Sequence, residues 1–288
     1  QPIMNLGNIF NNFINNIAYL ERIFETIDEP VTVKDAEHAI KMPKIRGKVT
    51  FDHVTFAYDE TKTILKDVSF TVNPGESVAL VGPTGAGKST IVNLISRFYN
   101  VNDGKVLIDD QDIADVTIHS LRAQMGIMMQ DSFIFSGTIA DNIRYGKLDA
   151  TQEEIEKAGK IVCADPFIRE MPKGYETQVR ERGSVLSQGQ KQLISFARTL
   201  LCDPAILILD EATSSIDVQT EKALQTGLNR MLKGRTSFII AHRLSTIRGC
   251  DKIMYIDDGG IAEAGTHEEL MKKKGRYYKL YTAQKSFH

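Results

Sequence analysis

The chain has 288 residues, 42% of them apolar, which is enough to bury one large core or two modest ones and excludes disorder as the default state. Its 35 Lys and Arg nearly balance its 37 Asp and Glu, so there is no basic field to draw in nucleic acid and no acidic tail. Cys163, Cys202 and Cys250 stand far apart without a C-x-x-C pair, which argues against a disulfide framework or zinc site and for a reducing, cytosolic setting.

From the N-terminus, Ile3, Leu6, Phe10, Phe13, Ile14, Ile17, Leu20, Phe24 and Ile27 recur at helical spacing with Asn on the other face, so the first segment reads as one long amphipathic helix. No secretory leader and no unbroken apolar run of roughly 18 residues is found, so the chain taken alone is expected to be soluble. Pro30 and the polar stretch through Pro43 read as a linker over Asp28 to Lys48, with a domain boundary near Arg46. Val49 to Tyr58 and Ile64 to Val72 are rich in β-branched and aromatic residues and read as strands; Asn73-Pro74-Gly75 then turns the chain into the apolar run Ser77 to Val81.

Beyond that run, helical patterns over 88–98, 151–170, 190–201 and 219–232 alternate with extended ones over 105–108, 126–130, 206–209, 236–241 and 252–256. The runs 205–209 and 237–241 are apolar on both faces, as buried parallel strands are. The pattern predicts an α/β core with a helix-rich insertion between about 131 and 201.

Ser77 to Val81 leads into Gly82-Pro83-Thr84-Gly85-Ala86-Gly87-Lys88-Ser89-Thr90 and then a helix, the G-x-x-x-x-G-K-[ST] pattern in its strand-loop-helix setting. Glycines there let successive amides turn inward onto phosphates, and the helix N-terminus adds its dipole. Lys88 is placed to reach the β and γ oxygens, and Ser89 to ligate Mg²⁺. A dinucleotide site requires G-x-G-x-x-G and gives the lysine no work.

Asp210 and Glu211 follow the run 206–209 at the carboxyl end of a buried strand, where ligands of open α/β sheets sit. Asp210 reads as holding Mg²⁺ through water and Glu211 as the residue that orients or deprotonates an attacking water; a capping pair for the next helix is the structural alternative. His242, after the run 236–241, is placed to meet a γ-phosphate at the same sheet edge.

Leu186-Ser187-Gln188-Gly189-Gln190, opening a helix before the Asp210 strand, resembles the LSGGQ signature of the ATP-binding cassette (ABC) transporter family. Gln130 at a strand end, Ser214 to Asp217 and His242 follow in the family's order, and the resemblance runs from Val49 to the C-terminus. The loop form Gly82 to Ser89, with Ser136 to Ile143 and Val179 to Gly183, is similar to the exporter branch. Gln188 departs from the pattern by replacing the signature's first glycine, while Ser187 and Gly189 are intact.

The resemblance implies a P-loop NTPase core with a mixed sheet, an antiparallel β subdomain and a helical insertion subdomain over about 131–201, all within 46–288. Residues 1–45 are then similar to the cytoplasmic end of a last membrane-spanning helix plus a linker. It further implies that ATP is bound by Tyr58, stacked on the adenine, by Thr84, Gly85, Ala86, Gly87, Lys88, Ser89 and Thr90, and, from a facing subunit, by Ser187, Gly189 and Gln190. Mg²⁺ would be held by Ser89, Gln130 and Asp210, and hydrolysis carried by Glu211, His242, Lys88 and Gln130. Implied partners are a second nucleotide-binding domain arranged head to tail, identical or not, and a transmembrane domain exporting a small molecule, lipid or peptide, with the chain on the cytoplasmic side of the cell membrane. A soluble ABC ATPase, usually with two cassettes or a coiled-coil insertion, and a regulatory module lacking Glu211 or His242 are the competing readings.

Overall fold

The computed structural model describes residues 2–59, 61–129, 133–180, 183, 185–210, 218–241 and 243–285. It divides into two compact units, Gln1–Lys34 and Asp35–His288. The first unit is built on one helix, α1 (Pro2–Ile27), and the large apolar side chains along it, among them Phe10, Phe13, Ile17 and Phe24, are exposed. Among the described residues no helix is long and apolar enough to cross a membrane. In α1 the asparagines on the opposite face are the reason, since each would lose its water in hydrocarbon.

Among its described residues the second unit holds twelve strands and ten α-helices, several of them short. Its strands are β1 (Val49–Ala57), β2 (Thr63–Val72), β3 (Ser77–Val81), β4 (Asp103–Ile108), β5 (Gln111–Asp112), β6 (Met125–Met128), β7 (Gly137–Thr138), β8 (Gln178–Val179), β9 (Ile206–Asp210), β10 (Thr236–Ile240), β11 (Lys252–Asp257) and β12 (Gly260–Gly265). Its helices are α2 (Lys88–Ile95), α3 (Ile118–Arg122), α4 (Ile139–Arg144), α5 (Gln152–Ile161), α6 (Asp165–Glu170), α7 (Gln188–Leu201), α8 (Val218–Leu232), α9 (Leu244–Arg248), α10 (His267–Lys273) and α11 (Arg276–Lys285).

A six-stranded sheet in the order β12-β11-β3-β10-β9-β6 forms the centre. Its five inner and far strands pair in parallel and β12 pairs antiparallel to β11, so the sheet is mixed. Side chains alternate between two apolar clusters: Val78 and Leu80 of β3, with Ile206 and Ile208 of β9, enter one, while Ala79, Val81, Leu207 and Leu209 enter the other. That two-sided burial explains why these strands read as continuous apolar runs. The first cluster is closed by α2 and by a separate antiparallel sheet, β2-β1-β4-β5; the second by α4 to α8.

Residues 35–48, read from sequence as linker, are held to this unit. The amide of Met42 donates to Ser120 Oγ at 2.7 Å and that of Ile45 to Gln124 Oε1 at 2.9 Å, and both apolar side chains are buried. The compact unit therefore starts at Asp35, ahead of Arg46. The span 151–170 is two helices rather than one stretch, because Cys163 adopts a left-handed φ of 63° and Pro166 opens α6.

Within the helical part, Asn142 of α4 is the knot. It is 2% exposed, accepts from the amide of Phe135 at 2.9 Å, and donates to the carbonyls of Phe135 and Thr138 at 3.0 and 2.9 Å. Arg198 of α7 donates to the Asn142 carbonyl at 2.8 Å and to the Phe133 carbonyl at 3.0 Å, with its guanidinium over the Phe135 ring. Asn142→Ala leaves the part-buried amide and carbonyl of Phe135 without their side-chain partner, so urea unfolding is expected to show a loss of about 1–3 kcal/mol, and an unchanged midpoint would refute the role given to this side chain.

Candidate functional site

The chain leaves β3 through a loop that passes through left-handed backbone at Gly82, Gly85 and Gly87. Gly82 has a φ of 140°, and a Cβ there would lie 2.1 Å from the carbonyl oxygen of Ile256 on β11. Gly87, with a φ of 107°, is the N-cap of α2, and a Cβ on it would press 2.8 Å from Leu65 of β2. Gly85, also left-handed at 81°, has open space on that side. The loop is thus pinned against β11 and β2 while its middle faces outward.

Because Gly87 offers no side-chain cap and no acidic residue occupies the first turn, the leading N–H groups of α2 are left for an outside partner. That end of the helix also carries its positive partial charge, the standard arrangement for an anion. Lys88 Nζ donates to the carbonyls of Gly82 and Pro83, each at 2.8 Å, which fixes the ammonium beside the loop and leaves one of its three protons to give. Burial pulls its pKa below the ordinary lysine value and the nearby Asp210 carboxylate opposes that. A half-buried cation in this position gains by acquiring an anionic ligand.

Asp210 ends β9 and sits in register with Ile240 of β10, so the carboxyl end of the sheet delivers it to the same place. A cleft of about 470 Å³ opens there, within the range of roughly 300–1,000 Å³ usual for small-molecule sites. Of the residues singled out from sequence, Tyr58, Thr84, Gly85, Gly87, Lys88, Ser89, Thr90 and Asp210 line it. Ala86 turns its side chain into the core, and its amide donates to the Pro83 carbonyl at 3.3 Å. Tyr58, just past β1, stands at one end of the cleft with its hydroxyl 3.1 Å from Thr90 Oγ1.

The hydroxyl of Ser89 and the carboxylate of Asp210 are hard oxygen donors lining one cleft, a set that suits Mg²⁺ completed by water and phosphate oxygens. Among the described residues no group of three or more His, Cys, Asp or Glu is gathered to hold a metal.

Ser187, Gly189 and Gln190 lie at the start of α7 and do not line this cleft. Ser187 Oγ accepts from the amide of Gln190 at 3.2 Å while Gln190 Oε1 accepts from the amide of Ser187 at 3.0 Å, a reciprocal cap. The departure Gln188 is tolerated as the first helical residue. Gln130, Glu211, His242 and the segment Ser214 to Asp217 lie outside the described residues. Two residues not anticipated from sequence, Ile64 and Ile240, complete the lining. Ile240 was hidden as one more apolar position in a buried strand; Ile64 carried a weak signal, being the residue after the turn that follows Tyr58.

A glycine-shaped loop after a central parallel strand, an uncapped helix start with its lysine, and a strand-end aspartate across the cleft define the class of P-loop nucleoside triphosphatases. Residues 65–214 match the family model described as ABC transporter, and the chain belongs to that family. It is 52% identical over 286 residues to the uncharacterized ABC transporter ATP-binding protein YknV of Bacillus subtilis, covering 99% of this chain and 47% of that one. With the putative multidrug export ATP-binding/permease protein YgaD of the same organism it shares 51% over 285 residues, covering 99% and 49%. The solved structure of a bacterial Atm1-family ABC exporter with ATP bound superposes with a TM-score of 0.85 at 43% identity, covering 97% of this chain and 49% of that one. The chain spans about half the length of the curated relatives it matches.

Lys88→Ala removes the charge-assisted contact while leaving the loop's glycines in place. ATP affinity measured by calorimetry is expected to fall on the order of 100-fold, and an unchanged affinity would remove the loop from the binding site.

Proposed function

We propose that this chain binds ATP with Mg²⁺ across the cleft between Tyr58 and Lys88 and hydrolyses it to drive export through a membrane domain. The observation that carries the reading is the convergence of an uncapped α2 N-terminus, the Lys88 ammonium and the Asp210 carboxylate on one opening. The first two would neutralise a triphosphate, and the last, with Ser89, would hold a Mg²⁺ that offsets the remaining phosphate charge.

In this reading the adenine lies on Tyr58 and the phosphates follow the loop from Thr84 to the leading amides of α2. Bound Mg²⁺ supplies charge neutralisation on the phosphate oxygens. Glu211, the residue after Asp210 in the chain, would orient the attacking water and take its proton, His242 would contact the γ-phosphate, and Gln130 would help Ser89 and Asp210 hold Mg²⁺ and report its state. Ser187, Gly189 and Gln190 act on the nucleotide of a second, identical or related domain packed head to tail; their position away from this chain's own cleft is what such an exchange requires. A helix N-terminus with no acidic residue in its first turn is suited to meeting an anion from outside. Closure of the pair excludes water and completes the charge-stabilising shell, and loss of the γ-phosphate removes the bridging charge.

Relatives that combine ATP-binding and permease parts in one longer chain support a transmembrane partner. Residues 1–45 then form the approach from that partner, the exposed apolar stripe of α1 being the surface that would meet it, on the cytoplasmic side of the membrane. The exported cargo is a small molecule, a lipid or a peptide, and its contacts belong to the membrane part.

Glu211→Gln keeps the shape of the side chain and removes the base. ATP binding is expected to persist and light scattering to show an ATP-dependent dimer, while phosphate release falls by roughly 100-fold or more; near-normal turnover would sink the assignment of the base.

A further inference from the structure

Tyr58 stands beyond the last residue of β1 and is 47% exposed, a position where no strand ladder holds a side chain. Its ring is nevertheless held from two directions. Phe56, 3% exposed and part of the core, lies 4.9 Å from it centroid to centroid at 86°, and Tyr99 lies 4.9 Å from it at 85°. Edge-to-face pairs of this kind have a preferred geometry and resist tilting. At its other end the Tyr58 hydroxyl is 3.1 Å from Thr90 Oγ1 and accepts from Asn93 Nδ2 at 3.4 Å.

Thr90 and Asn93 are three residues apart and so share one face of α2. The same helix begins with Lys88 and Ser89, which line the cleft where the proposed function puts the phosphates. One rigid element therefore carries both the phosphate end of the cleft and the anchor of its aromatic end. The span from base to phosphates is set by that helix rather than by the loop after β1.

We propose that Tyr99 and Asn93 are positioning residues that hold the Tyr58 ring at the height and tilt a nucleotide base requires once its phosphates lie at the start of α2. The inference rests on the reading of Tyr58 as the residue on which the base stacks. A ring free to rotate would surrender that freedom on binding, and a ring already held does not. The affected quantity is accordingly the part of the affinity that comes from the base, with the part from the triphosphate left aside.

Calorimetry on this chain, with Mg²⁺, of ATP and of inorganic tripolyphosphate separates the two. Tyr99→Leu and Tyr58→Phe are each expected to lower the ratio of ATP to tripolyphosphate affinity about 3- to 10-fold, and Asn93→Ala about 2-fold. Added to Tyr58→Phe, the Asn93→Ala change is expected to have no further effect, because its partner hydroxyl is gone. If Tyr58→Ala lowers the ratio but Tyr99→Leu and Tyr58→Phe do not, positioning is overturned and stacking stands. If Tyr99→Leu weakens both ligands alike, its role is only structural and the proposal fails. If Tyr58→Ala leaves the ratio unchanged, the stacking reading itself falls and the positioning with it.

Discussion

Between Val81 and Lys88 the backbone must turn three times through left-handed conformations while passing within contact of β11 on one side and β2 on the other. No side chain fits at Gly82 or Gly87, and that exclusion is what lets bare amides line the opening. The central sheet, buried on both faces, supplies the rigidity against which so tight a path is held. Lys88 then closes the loop on itself through the Gly82 and Pro83 carbonyls, so the charge that meets the ligand is part of the loop's own hydrogen bonding.

The electrostatics of the cleft follow from that geometry. Half-burial of an ammonium is costly, and Asp210 relieves only part of the cost. The helix dipole of α2 adds to the Lys88 charge, and under the proposed function a triphosphate would meet both. Under the proposed function, aromatic contact at Tyr58 would add affinity at the far end without adding charge. The two ends draw on different physics and share α2 as a common frame.

Much of this was legible in sequence wherever a local rule governs it. The phosphate loop is a contiguous pattern set by steric exclusion, and β3, β9 and β10 announce themselves as apolar runs because both faces are covered. The antiparallel β12 was not anticipated, since a strand beginning and ending in glycine and half-exposed along its length has neither apolar run nor clear alternation. Residues 35–48 look like linker by composition, but their amides are claimed by Ser120 and Gln124 from far along the chain. The contact of Tyr99 with Tyr58 is likewise non-local, and no periodicity within either segment encodes it.

The reciprocal cap at the head of α7 fixes more than a helix end. With one lone pair of Ser187 Oγ committed to the Gln190 amide, the hydroxyl still has its hydrogen to donate. Polarity is thereby assigned in advance: towards a neighbouring anion the serine can act as a giver and is biased against acting as a taker. Replacing it with alanine would confound helix fraying with loss of that gift, whereas threonine, which retains both functions of the oxygen, isolates the crowding of one extra methyl group.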